Sequence, residues 1–473
     1  MASIPVALLQ KLRDYSQTHL LNFWDSLSES QQQQLVQQIE SIDFERLVQC
    51  WKASIHPAMP EGEDRAEKAR SPRNVIRQPA TAAERKLWSD AHLLGVRELE
   101  AGKVAVITVA GGQGTRLGFD HPKGMFPIGP VSDRSLFQIF AEQILARRRR
   151  HQAQIPWLIM TSDATHAETV EFFQAHSCFG LDPKTVHFFQ QGSLPALDAQ
   201  TGQILMIAPD QLALSPDGHG GLVQALSHSG LLEKMKQLGV AHFFYHQVDN
   251  PTVIMADPAL IGFHLLHGSQ LTTNVVCKTS PTERMGVLVD LDGQTQIIEY
   301  SELTAEQAAR KDVAGQWIFW AGNTAIHLFR RDFLEHLASD GGQLPLHVAR
   351  KNVAFLDDHG QLQQPSDPAK PNGIKLERFI FDALPLAQQT LIVEGNRARE
   401  FNPVKNKSGN DSAETSRAAL IRIADDWLRD AGISPDPGTA VEVSPLDALD
   451  SEELADKLKR GILKFTKNKI TAD

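Results

Sequence analysis

Cysteine is scarce in this chain. The three present, Cys50, Cys178 and Cys277, lie far apart with no Cys-x-x-Cys pair, so neither a disulfide framework nor a zinc knuckle can be assembled within one chain. Long apolar runs are missing too. From Met1 to Leu21 the apolar residues are interrupted by Gln10, Lys11, Arg13 and Asp14, which leaves no signal-peptide h-region. No stretch approaches the ~20 apolar residues of a membrane-spanning helix. Basic charge is not in excess: 57 acidic against 47 basic residues give a net charge of -10, with no global attraction to nucleic acid or an anionic membrane. No segment repeats. These absences point to a soluble, cytoplasmic protein in a reducing compartment, with no nucleic-acid or membrane partner. What is present is core-forming material: 42% of the 473 residues are hydrophobic, enough for packed domains, about three at roughly 150 residues each.

The first hundred residues read as helical. Leu20, Leu21, Phe23, Trp24 and Leu27 recur at helical spacing, Ser28 or Ser30 can cap the next helix, and Gln31–Gln34 reads as a solvated face. Residues 59–80 look like an extended connection before an amphipathic helix over Ala83–Glu100. From Lys103 the texture changes. Val104–Val109 is a continuous apolar, β-branched run that stops at Gly111-Gly112, as a strand buried on both faces should. Trp157–Met160, Val186–Phe189, His242–Tyr245 and Asn274–Cys277 are similar, and helical patterns such as Leu136–Arg150 and Gly221–Leu238 separate many of them. Alternation of this kind predicts a doubly wound, mostly parallel α/β sheet, with ligands at the carboxyl ends of its strands. After about residue 435 a short strand-like Ala440–Val443 and a charged helix from Ser451 suggest a small C-terminal region. The expected organisation is a helical region over 1–100, a catalytic domain over 101–434 and an appendage over 435–473. Arg147–Arg150 reads as the solvated last turn of a helix, where cations suit the dipole.

The strongest local signal is Gly111-Gly-Gln-Gly-Thr-Arg-Leu-Gly118 followed by Pro122-Lys-Gly124. A strand ending in a glycine-rich turn lets backbone N–H groups approach an anion, and Arg116 and Lys123 add formal charge for a polyphosphate. The spacing excludes two familiar alternatives. Gly112, Gly114 and Gly118 leave one residue too many for the dinucleotide fingerprint, and Lys123 precedes its glycine, which a Walker loop does not allow.

Gly-Gly-x-Gly-Thr-Arg-Leu-Gly with Pro-Lys downstream resembles the signature of sugar-nucleotide pyrophosphorylases. More narrowly, the chain is similar to the eukaryotic-type UDP-N-acetylglucosamine pyrophosphorylases within the wider UDP-glucose pyrophosphorylase group. The likeness runs from His19–Trp24 to Ser444-Pro-Leu and includes Leu194-Pro-Ala196, Pro216-Asp-Gly-His-Gly-Gly221, Val248-Asp-Asn250, Glu299-Tyr-Ser-Glu302, Ala321-Gly-Asn323, Pro371–Lys375 and Phe401–Lys405, in the family's order. It implies roles residue by residue. Val109, Ala110, Gly111 and Gly112 line the nucleotide; Arg116 and Lys123 contact its phosphates; Gln191 and Gly218 read the uracil. Asp249 is the site for Mg²⁺ (or Mn²⁺). Gly286, Glu299, Tyr300 and Asn323 hold the sugar with His219 nearby, Phe379 and Phe381 match aromatics beside it, and Lys375 and Lys405 approach the phosphates. Asp249, Glu299 and Asn323 each follow or end an apolar strand run, where such ligands belong.

The implied reaction joins UTP and a sugar 1-phosphate into a UDP-sugar and pyrophosphate. A phosphate oxygen is ionised at neutral pH, so no general base is needed, and no nucleophile motif is present. Positioning and charge neutralisation carry the chemistry, with Arg116, Lys123 and Lys405 as the catalytic cations. The alternatives are a UDP-glucose or broad-specificity enzyme and a nucleotide-sugar-binding protein without turnover. One position departs from the closest pattern: Gly218-His-Gly-Gly221 carries histidine where the N-acetylglucosamine enzymes have asparagine, whereas glucose and broad-specificity relatives show Gly-His-Gly-Asp.

Overall fold

The computed structural model describes residues 4–55, 61–339, 344–367, 369–436, 438–466 and 469–472. They group into two compact units. One comprises Met1–Glu61, Gln191–Leu222 and Leu344–Asp382; the other comprises Gly62–Gln190, Val223–Gln343 and Ala383–Asp473. Compactness therefore divides the chain differently from the three spans expected from composition, because chain segments distant in sequence share each core.

In the smaller unit, helices Val6–Asp14, Glu29–Glu40 and Phe44–Ile55 bury Leu8, Leu12, Leu35, Ile39 and Leu47 with Leu197, Ile204, Leu212, Ile374 and Leu376. Ser28 caps Glu29–Glu40 in a reciprocal capping box with Gln31. The glutamine run is not simply a solvated face. Gln32 is buried and donates to the Trp24 carbonyl. Gln17 and Gln38 pair by side chain with backbone: Gln17 bonds Gly202 O and Ile204 N–H, and Gln38 bonds Asp210 O and Leu212 N–H. Each amide mimics one residue of a strand and satisfies two otherwise unpaired backbone groups.

The larger unit is built on a ten-stranded sheet. Its strands are β1 Val75–Ile76, β2 Val104–Val109, β3 Trp157–Thr161, β4 Val186–Gln190, β5 His242–Gln247, β6 Leu271–Cys277, β7 Val287–Leu291, β8 Gln294–Ile298, β9 Ala321–Arg330 and β10 Thr390–Glu394. The row runs β1-β10-β6-β9-β5-β2-β3-β4, with β7 paired to β9 and β8. Only β9 runs against its neighbours along the row; the other pairs are parallel. The apolar runs expected as strands between Val104 and Cys277 all form strands, and the mixed, mostly parallel sheet matches the expected fold class. The chain winds outward from β2 through β3 to β4, then returns to β5 on β2's other side. That reversal is the topological switch point, the place where such sheets hold ligands.

Four local expectations need correction. Within 59–80, Glu61–Lys68 is a helix; Ala66 and Ala69 are buried and Arg65 pairs with Glu302, so tertiary contacts stabilise a highly charged segment. Gly221–Leu238 is two helices, Leu222–His228 and Leu231–Gln237, broken at Gly230 in the left-handed region. Ala440–Val443 is not a strand: Val441 packs with Leu428, Ala448, Leu454 and Leu463, while Glu442 accepts from the Val131 and Ser132 N–H groups. Arg147 is buried rather than solvated. Its Nε donates to Met255 O, and desolvation lowers its pKa to about 10.

Beneath the switch point the Trp157 indole donates to Thr108 Oγ1 at 2.7 Å, and that hydroxyl lies 2.7 Å from His246 Nε2. Burial keeps His246 uncharged and its Nδ1 donates to the Gln247 carbonyl, so Nε2 accepts from the Thr108 hydroxyl, which in turn accepts from Trp157. The ring is neutral. Burial lowers its pKa to about 4, as it does for His219 and, with Arg147, for His151; His264 is also pushed well down. Between pH 6.5 and 4 the unfolded chain therefore binds protons that the folded chain refuses, and stability falls as pH falls. Glu400, raised to about 7 by burial, works in the opposite direction but is outnumbered. Thermal melts from pH 7 to pH 4.5 should show a steadily falling Tm; a flat profile would mean that these rings titrate normally.

Candidate active site

The expected site residues fall into groups within each unit. In the larger unit, β2 ends at Val109, whose carbonyl accepts from Val248 N–H beyond β5, while Ala110 N–H donates to Met160 at the end of β3. Ser162 Oγ holds the Gly111 carbonyl at 2.8 Å, Lys123 N–H donates to Gly112 O at 3.0 Å, and Gly114 N–H donates to His121 O. The glycine loop thus folds back so that Lys123 lies against its base. Gly112 is exposed, with no atom within 4 Å of where a Cβ would sit, so its face is open to a ligand. Arg116 stands exposed on the turn Thr115–Leu117. Gly124 is a required glycine, because a Cβ there would lie 2.1 Å from the Phe137 ring.

Asp249 follows β5, half-buried, and its carbonyl accepts from Val404 N–H at 2.7 Å. This brings the loop carrying Lys405 to the switch point. Lys405 N–H donates to Asp411 O, and its ammonium stands 5.6 Å over the Phe401 ring. Among the described residues, no hydrogen bond or ion pair engages the side chains of Asp249, Arg116, Lys123 or Lys405. Burial lowers the Lys123 pKa; Asp249 opposes that shift, and Arg116 and Lys405 add to it. Lys123 therefore feels one carboxylate and two further cations where β2 and β5 end, and Asp411 interacts with both Lys405 and Asp249.

Gly286, Glu299 and Asn323 also meet. Asn323 N–H donates to Gly286 O at 2.9 Å, and a Cβ on Gly286 would lie 2.7 Å from Glu299 Oε1. Tyr300 follows, 46% exposed. Glu299 comes directly after β8, as expected. Asn323 does not end a strand but stands third in β9. Because β9 is antiparallel, its beginning lies with the carboxyl ends of its neighbours.

In the smaller unit, Gly192 O accepts from Asp217 N–H, which ties the residue after Gln191 to the residue before Gly218. Gly218 has φ +82°, and a Cβ would lie 2.5 Å from Arg378 O, so only glycine fits. Arg378 and Asp217 form a buried pair at 3.1 Å, and desolvation raises the Asp217 pKa. His219 Nδ1 accepts from Ile380 N–H, so the neutral ring carries its proton on Nε2. Phe379 stacks on His219 at 5.4 Å, Phe381 lies at 5.6 Å, and His347, paired to Asp382, stacks on Phe379's ring at 4.4 Å. Both phenylalanines thus pack on histidine, and Phe381 is 8% exposed. Lys375 lies on the strand Gly373–Glu377, opposite Ala349.

Sequence reasoning missed Lys407, whose side chain lies 3.7 Å from a Cβ position on Gly118. Its spacing of two from Lys405 was the available signal. It also missed the Asp217–Arg378 pair, which no local pattern announces.

A sheet of this topology with unpaired cations and a carboxylate at its switch point defines an α/β protein that handles a phosphorylated ligand. The chain belongs to the family described as UTP--glucose-1-phosphate uridylyltransferase, whose model matches residues 65–453. It is 38% identical over 443 residues to the UDP-N-acetylglucosamine pyrophosphorylase of Saccharomyces cerevisiae, covering 90% of this chain and 92% of the relative. It is 36% identical to the human UDP-N-acetylhexosamine pyrophosphorylase-like protein 1, covering 94% and 93%. Among solved structures, the uridine diphosphate N-acetylglucosamine pyrophosphorylase of Trypanosoma brucei in complex with inhibitor superposes with a TM-score of 0.81 at 27% identity, covering 97% of this chain and 96% of that one. The chain is a nucleotidyltransferase.

Gly124→Ala forces a methyl into the Phe137 ring and should cost about 1–3 kcal/mol, read as a drop in Tm. Phe137→Leu in the same chain should recover part of the loss; no recovery would mean that the clash is not what destabilises.

Proposed function

We propose that this enzyme transfers the uridylyl group of UTP to N-acetylglucosamine 1-phosphate, forming UDP-N-acetylglucosamine and pyrophosphate. The observation that carries the reading is the gathering of Arg116, Lys123 and Lys405 about Asp249 at the switch point, where no hydrogen bond or ion pair among the described residues engages these side chains. Lys123 is desolvated and only partly offset by Asp249, and cations gathered in this way suit an anion. The names of the relatives agree with an N-acetylated hexosamine as the sugar.

In this reaction a phosphate oxygen of the sugar phosphate attacks the α-phosphorus of UTP. The Pα–O bond to the β-phosphate breaks in line, and pyrophosphate leaves with the bonding electrons. The attacking oxygen is already ionised, so the chain has only to hold two polyanions together and neutralise the transition state. Val109 to Gly112 lie along the nucleotide, with Arg116 and Lys123 on its phosphates. Gln191 and the Gly218 backbone read the uracil. Gly286, Glu299, Tyr300 and Asn323 hold the sugar, with His219, Phe379 and Phe381 beside it; Lys405 and Lys375 complete the phosphate contacts. Asp249 fits a divalent cation, Mg²⁺ or Mn²⁺: its carboxylate has no partner among the described residues, and such ions take one or two carboxylates plus substrate phosphates. A bound ion would draw charge from the triphosphate. The described residues include no helix long and apolar enough to cross a membrane, and we place the enzyme in the cytoplasm.

Lys123→Ala and Lys405→Ala should each lower turnover about 10²–10³-fold, ~3–4 kcal/mol, with Tm nearly unchanged. Near-normal rates in both would put the phosphates elsewhere.

His219 sets the sugar test. With Nδ1 occupied by Ile380 N–H, the ring has only an Nε2–H donor left, where asparagine would offer donor and acceptor. Pyrophosphate release with UTP or ATP and a panel of sugar 1-phosphates should show UTP strongly preferred. N-acetylglucosamine 1-phosphate should be used best, with glucose and galactose 1-phosphates also accepted, and His219→Asn should sharpen the choice. A tenfold preference for glucose 1-phosphate would overturn the assigned sugar, and equal use of ATP the uridylyl assignment.

A further inference from the structure

Asn250 follows Asp249 and is 4% exposed. Its side chain makes four bonds within a small space. Nδ2 donates to Glu400 O at 2.6 Å, while Oδ1 accepts from Asn402 N–H at 3.2 Å, Thr252 N–H at 3.3 Å and the Thr252 hydroxyl at 3.0 Å. Asn402 Nδ2 closes the ring by donating to Thr252 Oγ1 at 3.1 Å. One amide thus joins the loop that begins at Asp249 to the loop that ends at Lys405. The main-chain bond from Val404 to Asp249 lies alongside. Farther back, the Glu400 carboxylate is held by Asn396 N–H and Asn274 Nδ2, so the amide grips a segment that is itself anchored to β6. Arg399, donating to Thr252 O at 3.2 Å, also ties these loops, but Asn250 bonds both ends of the Glu400–Asn402 segment through one amide. A carboxylate of the same shape cannot donate to Glu400 O, and an apolar residue would strand buried backbone groups.

We propose that Asn250 is a positioning residue that sets where the Lys405 ammonium stands relative to Asp249, a role that rests on the phosphate-contacting reading of Lys405. It touches neither substrate nor metal itself. Lys405 is attached to a loop with five surface-exposed residues after it, from Asn406 to Asn410, and the amide supplies its fixed reference on the strand side. A displacement of about 1 Å at a transferring phosphate is enough to cost about 10²-fold.

The test is a double-mutant cycle. Asn250→Asp and Asn250→Ala, each made alone and in a Lys405→Ala chain, are assayed for kcat and for KM of UTP and the sugar phosphate, with thermal melts on all. In the otherwise native enzyme, Asn250→Asp should lower kcat at least about tenfold. In the Lys405→Ala chain the same change should cost less than about threefold, because no ammonium is left to misplace. A merely structural role would lower Tm and give equal fold losses in both backgrounds, and that result overturns the proposal. If either Asn250 variant fails to fold, Thr252→Val removes two bonds from the same ring, the hydroxyl's donation to Asn250 Oδ1 and its acceptance from Asn402 Nδ2, but keeps the Asn250 amide's bonds to Glu400 O and Asn402 N–H, and should give a smaller loss with the same dependence on Lys405. If Lys405→Ala alone is fully active, the reading of the phosphate site falls and takes this proposal with it. If Lys405→Ala is impaired and the losses are additive, only the role of Asn250 falls.

Discussion

Like charges held near one another repel, and the larger unit depends on overcoming that repulsion. Lys123 is half-buried, loses solvation, and feels Arg116 and Lys405 as further cations, with only Asp249 to offset them. Asp249, with Asp411 near Lys405, offsets only part of that repulsion until an anion binds. The backbone must impose the assembly. Lys123 is fixed by its N–H bond to Gly112 and by a turn seated on Phe137, and Lys405 by the return of its loop to Asp249. Both supports trace to the ends of β2 and β5, which are buried along nearly their whole length and locked in register from His242 opposite Val104 to Gln247 opposite Val109. The hydrophobic sheet thus carries the electrostatic cost of a pre-organised site, the usual arrangement when catalysis depends on fixed charge.

Strands buried on both faces were the most legible part of the sequence, since full burial writes itself as a continuous apolar run. Val104–Val109 and His242–Tyr245 are such runs, and both are strands. β9 was harder to read because its first half, Ala321-Gly-Asn-Thr324, gives space and polar groups to the site rather than side chains to the core. The helix Glu61–Lys68 was illegible for the opposite reason: its residues are mostly charged, and its support comes from Glu302 and from buried alanines. Tertiary contact overrode local pattern there.

The gathering of cations beside the glycine loop was legible in the sequence as Gly111–Gly118 followed by Pro122-Lys-Gly124, because backbone access and positive charge together are what an anion asks for. Asn250 was visible only as one letter of a matched block, since a side chain that bonds backbone leaves no periodicity. His219 was noticed as a departure in chemistry, but its geometry was not readable. That Nδ1 is taken by Ile380 N–H and the ring is flanked by Phe379 and Phe381 depends on a segment distant in sequence. Its lowered pKa follows from that packing, with His347 a smaller cause.

The position of β10 has a consequence for how the chain is made. β10 lies between β1 and β6, parallel to both, so Val75 has no sheet partner until Ile392 has been synthesised. At about 5–20 residues per second that is a delay of tens of seconds, and from the completion of β6 at Cys277 until β10 is made, one side of β6 is an open edge. Parallel pairings of this span close slowly, because the loop entropy is lost before the contacts are gained. The nascent larger unit thus exposes a strand edge while the chain between Cys277 and Thr390 is made, the condition under which strands add to the wrong neighbour. The short, two-residue β1 offers little to such mispairing, and the last strand to arrive is the one that seals the sheet.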